Sequence, residues 1–298
     1  MTLLHGLKSS TKHWLESHPD VYAGRLSKKN LFRSLTSNSR ILPDFIIIGE
    51  SKCGTTSLYN YMIQHPAIKP ALTKEINFFN WSYDKPQNWY SAHFPTKLKK
   101  KFSKNVFKKS FLTGEATPLY LFNSQVPKRM FETIPNVKII VVLRNPVDRA
   151  YSHYHDLGVR LGEEKRTFDD AIRSELKILE EKNYVTTDYD GNFTDRLYQY
   201  VVRGIYFDHL KIWMDMFPVK QFLILKTEEL EKNPSEILNS VFKFLSLHNY
   251  DKINFEEKHN VSKYEPMNEQ SRKILKQFFK PHNERLYKFL KRDFEWDC

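Results

Sequence analysis

The run Phe45-Ile46-Ile47-Ile48 passes directly into Gly49-Glu50-Ser51-Lys52-Cys53-Gly54 and then into Thr55-Thr56-Ser57-Leu58. An unbroken apolar run this short fits a strand buried on both faces. Leu58 and Met62, one helical turn apart with Tyr61 beside them, continue as an amphipathic helix. Two glycines, a lysine and several hydroxyl residues fill the turn between them. A helix that starts in this way leaves backbone N–H groups without partners, and its dipole adds partial positive charge there. The segment therefore commits the chain to a strand–loop–helix unit with an anion seat at its turn.

Spacing narrows the kind of anion. In nucleotide-kinase and GTPase loops the lysine directly follows the second glycine, as G-x-x-x-x-G-K-[ST]. Here Thr55 follows Gly54, and Lys52 stands two residues before that glycine. A lysine inside the loop meets the anion from a different side. Taken alone, the segment also fits a plain loop with a solvated lysine.

Elsewhere strand and helix signals alternate. Strands are expected at Phe111–Gly114, Val137–Leu143 and Gln221–Leu225, and helices at Val126–Ile134, Thr167–Lys182, Tyr198–Phe217, Pro234–Leu247 and Glu269–Leu290. After Leu143 comes Arg144-Asn145-Pro146-Val147-Asp148, in which Asn145 suits an N-cap and Pro146 the first helical position. Gly158 is the expected end of that helix. The pattern predicts an α/β fold, a single P-loop-type domain with a central parallel sheet flanked by helices. Residues 41–298 form this domain, and residues 1–40 an N-terminal arm.

A second anion site follows from the same reading. Arg144 falls at the carboxyl end of a central strand, where open α/β sheets bind ligands. Ser152 lies seven residues after Asn145, on roughly the same helix face. The planar donor fork of an arginine suits phosphate. The plain alternative pairs Arg144 with Asp148. Together with the first loop, two anion sites on neighbouring strands call for a ligand with two separated anionic groups.

The net charge of +12 favours acidic partners. Lys97, Lys99, Lys100, Lys101, Lys104, Lys108 and Lys109 form a lysine-rich stretch, readable as a solvated basic loop or as a lip for a polyanionic acceptor. The cysteines, Cys53 and Cys298, are too few for a disulfide framework and fit a reducing compartment. No apolar run is long enough to span a bilayer, and the polar N-terminus lacks the apolar core of a signal peptide, so a soluble, cytoplasmic protein is expected. His153 and His155 point to different helix faces, and no Cys/His cluster has zinc spacing, so no metal is expected.

Four blocks carry a family resemblance: Ile47 to Thr56; Lys74-Glu75-Ile76-Asn77-Phe78-Phe79; Leu143 to Tyr154; and Arg203-Gly204-Ile205-Tyr206 through Glu229-Leu230. With them the chain resembles the PAPS-dependent sulfotransferase superfamily, nearest the heparan-sulfate type and its microbial relatives. The resemblance implies 3′-phosphoadenylyl sulfate (PAPS) as co-substrate. Lys52, Cys53, Gly54, Thr55, Thr56 and Ser57 would cradle its 5′-phosphosulfate, and Arg144 and Ser152 would hold its 3′-phosphate. It also implies two catalytic residues: Lys52 at the leaving phosphate oxygen, and Glu75 as the general base on a hydroxyl or amine acceptor. The implied acceptor is a carbohydrate or other hydroxyl or amine compound, anionic ones included; no nucleic acid is expected. Trp81, Trp89, Tyr90 and Phe94 fit either an acceptor wall or core.

The chain also departs from the animal glycan enzymes. Ala116 stands where they carry a lysine, and His259 to Tyr264 lacks their late Lys-Gly-Arg, with Lys258 or Lys263 as the available substitutes. Two other classes compete with transfer of a sulfuryl group. A small-molecule P-loop kinase conflicts with the position of Lys52. A non-catalytic polyanion-binding protein explains the charge but not the ordered pair of anion motifs.

Overall fold

The computed structural model describes residues 33–106, 110–159, 162, 164–181, 199–256 and 264–296. Strands β1 (Phe45–Gly49), β2 (Ile68–Pro70), β3 (Leu112–Ala116), β4 (Lys138–Leu143) and β5 (Phe222–Lys226) form one sheet in the order β2-β3-β1-β4-β5. Every pairing is parallel. This is the expected α/β architecture. It places β1 and β4 side by side, with Gly49 opposite Val142, so their carboxyl ends share one edge.

Alternation along the buried strands fills both faces. Phe45, Ile47, Ile140 and Val142 pack with helices α1 (Thr55–Met62) and α10 (Pro234–Phe244). Ile46, Ile48, Ile139, Val141 and Leu143 face the other way, onto α5 (Val126–Thr133), α8 (Tyr206–Met216) and α11 (Glu269–Leu290). The remaining helices are α2 (Phe78–Trp81), α3 (Gln87–Ser91), α4 (Lys97–Val106), α6 (Pro146–His153), α7 (Phe168–Glu181) and α9 (Thr227–Lys232).

Four expectations are corrected. Of the helix foreseen at Tyr198–Phe217, Tyr198 lies outside the described residues, and from residue 199 on the helix begins only at Tyr206, after a 3-10 turn at Val202–Gly204. Tertiary contacts override its periodicity. The buried Glu175 carboxylate accepts the N–H groups of Tyr200, Val201 and Val202 at 2.7–2.8 Å, and Gly204 lies so close to α11 and α6 that a Cβ would fall 2.8 Å from the Phe279 ring and from Pro146 Cβ. The described part of the lysine-rich stretch is not a loop, since Lys97–Val106 is helical, and Lys108 and Lys109 lie outside the described residues. Gly158 does not stop α6, which runs on into a π-helical turn at Tyr154–Val159. The Arg144–Asp148 pair does not form: Asp148 pairs with Arg272 at 3.0 Å.

Candidate active site

The first loop rises from β1 and enters α1 at the carboxyl edge of the sheet. Gly49 leaves the strand so close to β4 that a Cβ would lie 2.4 Å from Val142 O. Lys52 then adopts a left-handed φ of 73°, a conformation rare for a residue with a side chain and concentrated at functional sites. Gly54 follows, also left-handed, at the N-cap position of α1. No side chain caps that helix start, so the N–H groups of its first turn remain available to an anion.

A buried ion cluster holds the loop from beneath. Glu50, 1% exposed, lies between Arg203 and Arg149. Arg203 Nη2 donates to Glu50 Oε1 at 3.1 Å. Arg203 Nε approaches Oε2 to 2.8 Å, too bent for a hydrogen bond. Arg149 Nη1 lies 3.9 Å from Oε2, and its Nη2 donates to Tyr200 O. Burial pushes the Glu50 carboxyl up, and the two guanidiniums pull it back. His153, fully buried beside Arg149 at 3.3 Å, is driven well down, first by burial and then by the neighbouring arginines.

The loop is also tied to its neighbours. Arg144, just past β4, donates through Nη1 to Lys52 O at 3.1 Å. Tyr206 donates to Arg144 O at 2.8 Å. The Thr227 hydroxyl, at the end of β5, lies 2.7 Å from Cys53 O and 2.9 Å from Leu143 O. The Lys52 ammonium pairs with Asp156 at 3.3 Å. The Cys53 side chain is buried in the core and its N–H closes the turn on Glu50 O at 3.1 Å. Burial pushes its thiol up to about 11. Neither group of Cys53 faces outward. Ser152 lies buried near the end of α6, and among the described residues no hydrogen bond joins it to Arg144.

The loop after β2 supplies the opposite side. Lys74 Nζ lies 2.6 Å from Thr56 Oγ1 and 2.5 Å from Glu75 Oε1, so Glu75 stands one lysine away from the start of α1. Its side chain is about a quarter exposed, at 27%. Behind it, Glu115 on β3 is fully buried and accepts from Tyr90 (2.7 Å), Thr117 (2.7 Å), Tyr120 (3.4 Å) and the Ile76 N–H (3.3 Å). Burial raises its carboxyl to about 7, against the pull of those donors. Asn77 completes this loop in the left-handed region, which asparagine tolerates. Of the aromatics singled out, Tyr90 and Phe94 are fully buried, and Tyr90 stacks on Phe78 at 4.5 Å. They belong to the core. Ala116 is likewise buried, in the core against α1. The late block with Lys258, His259 and Lys263 lies outside the described residues.

Lys52, Arg144, Thr56 and Glu75 are therefore linked along one edge. Sequence reasoning missed Glu50, Arg149, Arg203, Glu115 and Thr227. The one available signal was Glu50, a carboxylate directly following a buried strand and requiring a partner.

The sulfotransferase domain model matches residues 42–292. The chain is 29% identical to the membrane-associated sulfotransferase kil1 of Dictyostelium discoideum, over 86% of this chain and 66% of that protein. It is 30% identical to the mouse bifunctional heparan sulfate N-deacetylase/N-sulfotransferase 4, over 84% of this chain but 30% of that protein. Among solved structures, a sulfotransferase from Alicyclobacillus acidocaldarius superposes with a TM-score of 0.65 at 28% identity, covering 87% of this chain and all of that one. No helix among the described residues is long and apolar enough to cross a membrane.

Proposed function

The chain belongs to the sulfotransferase domain family, and from that premise we propose that it transfers a sulfuryl group from PAPS to a hydroxyl or amine acceptor, with carbohydrate as the acceptor class. One observation carries the reading: the uncapped start of α1 and the Arg144 guanidinium stand on adjacent strand ends, joined by the bond from Arg144 to Lys52 O. A nucleotide with phosphates at both ends of its ribose matches two such sites.

PAPS supplies the activated sulfuryl group. In the proposal, the N–H groups of Gly54, Thr55, Thr56 and Ser57 receive the 5′ end, and Arg144 with Ser152 the 3′-phosphate. The Lys52 ammonium counters charge that builds on the leaving phosphate oxygen. To do so it exchanges Asp156 for that oxygen. Glu75 takes the acceptor proton, with Lys74 holding its carboxylate toward Thr56. The carbohydrate class is supported by the relatives named for heparan sulfate, and the proposed domain is residues 41–298, with 1–40 as its arm.

The test is a thermal-shift comparison of adenosine 3′,5′-bisphosphate with AMP. At about a hundred times its dissociation constant the bisphosphate should add roughly 2.7 kcal/mol. AMP, at equal concentration, should add less. Arg144→Ala should erase the difference. Equal shifts from the two nucleotides on the wild-type protein would refute the second site.

A further inference from the structure

Helix α4 is built inside out. Its residues run Lys97-Leu98-Lys99-Lys100-Lys101-Phe102-Ser103-Lys104-Asn105-Val106. The side chains that turn toward the protein are polar: Lys100 and Ser103 are half-buried, and Lys100 lies 2.8 Å from the Asp44 carboxylate. Leu98 and Phe102, one turn apart and therefore on one face, are 74% and 55% exposed. Lys97, Lys99, Lys101 and Lys104 are exposed around them, and no acidic residue interrupts the helix. A helix in the wall of a water-soluble domain normally does the reverse.

Its location separates it from the transfer site. Asp44 immediately precedes β1, donating its N–H to Thr113 O and accepting from Lys138 N–H. The helix is thus pinned at the amino edge of the sheet, where Arg40 and Thr96 also form a β-bridge. The first loop leaves the opposite edge, a strand of five residues and about 16 Å away. That placement sets the described lysines, Lys97 to Lys104, apart from the transfer edge, while Lys108 and Lys109 lie outside the described residues.

We infer that α4 is a docking helix for an anionic lipid surface, and that it holds the domain with its transfer site facing away from the bilayer. The two chemistries of the helix select this partner. The lysines match anionic headgroups. Leu98 and Phe102 gain by leaving water only where the partner has an apolar interior, which a bilayer's acyl boundary provides and a sulfated glycan does not. Leu35, 78% exposed, lies on the short segment that Lys97 joins by donating to Asn38 O. The inference is independent of the proposed reaction.

Sedimentation with vesicles tests it, using the full chain, phosphatidylcholine vesicles with and without phosphatidylserine, and about 0.1 M salt. The protein should bind the phosphatidylserine vesicles, release as salt rises, and leave phosphatidylcholine in solution. Replacing Lys99, Lys101 and Lys104 by Gln should weaken binding roughly fivefold per lysine. Leu98→Ser with Phe102→Ser should weaken it at least about tenfold. The lysine variant should keep the wild-type melting temperature, and the Leu98/Phe102 variant should keep the wild-type far-ultraviolet circular dichroism. Three results would overturn the proposal: no vesicle binding by the wild-type chain; loss on lysine replacement with none on the Leu98/Phe102 change, which marks simple polyanion binding as heparin would report; or a dimer in solution that Phe102→Ser dissolves.

Discussion

Glu50 and Glu115 are both buried carboxylates, each set directly behind a residue assigned to the chemistry. Glu50 underlies Lys52 and is answered by two guanidiniums. Glu115 underlies Glu75 and is answered by hydroxyls and one backbone N–H. The first arrangement fixes charge as well as position. Removing the anion strands two cations in the protein interior. The second fixes position through neutral donors, so its own ionisation is left adjustable. The proposed cofactor side is thus built on ion pairing and the proposed acceptor side on a hydrogen-bonded network.

The largest effect should come from breaking the first of these. Glu50→Ala leaves Arg149 and Arg203 uncompensated and should cost about 3–5 kcal/mol of stability, measured by urea unfolding. A loss under about 1 kcal/mol would mean that the arginines find water, and the contrast between the two glutamates would collapse.

Next come the residues in front. Lys52→Ala should lower kcat by about 10²–10³-fold, and Lys52→Arg should restore it only in part, because a planar fork does not replace a compact ammonium. Glu75→Gln should reduce kcat within about 10²–10⁴-fold while adenosine 3′,5′-bisphosphate binds as before. Calorimetry beside turnover separates the two sides. If Glu75→Gln weakens nucleotide binding and spares kcat, Glu75 belongs to the cofactor half.

The smallest effect is the most diagnostic. Glu115→Gln turns an NH₂ group toward donors and should cost about 1–3 kcal/mol. The Glu115 carboxyl is held at about 7 in the fold, above the ordinary carboxylate value of about 4.3. Between those values the native state binds the extra proton, so the contribution of Glu115 to stability falls as pH rises from about 4.5 through 7. Glu175, also raised to about 7 by burial, acts in the same sense. His209, lowered to about 4, opposes both, losing stability as pH falls below about 6.5. The difference in melting temperature between wild type and Glu115→Gln should therefore narrow from pH 5.5 toward pH 8. A pH-independent difference would show that Glu115 does not titrate in the fold.

Much of this architecture was legible in local order. The β1 run, the Asn145-Pro146 start of α6 and the full extent of α11, Pro281 included, could be read because each depends on neighbours in sequence. The strand Ile68–Pro70 is too short to leave a periodic trace. Helix α4 carries a helical spacing, Leu98 and Phe102, but its lysines masked it as a solvated loop. Of the site, the loop and Arg144 were visible, whereas their supports were not. Arg203 meets Glu50 across 153 positions, and Tyr90 meets Glu115 across 25. No spacing rule joins residues so far apart; only the packing of a 3-10 turn and a helix against the sheet brings them together.

Thr227 gives this division a consequence for how such a domain can diversify. Its single hydroxyl touches one carbonyl in the loop after β1 and one at the end of β4, so those two segments are tied to each other and to the start of α9. The stretch from Glu75 through Phe94 draws its main support from Glu115 on β3 instead. On the proposed reading, exchanges around Glu75 can remodel the acceptor side without redrawing the proposed nucleotide cradle. A lineage, or an engineer, can therefore retarget the enzyme by recasting one wall while the other is inherited unchanged.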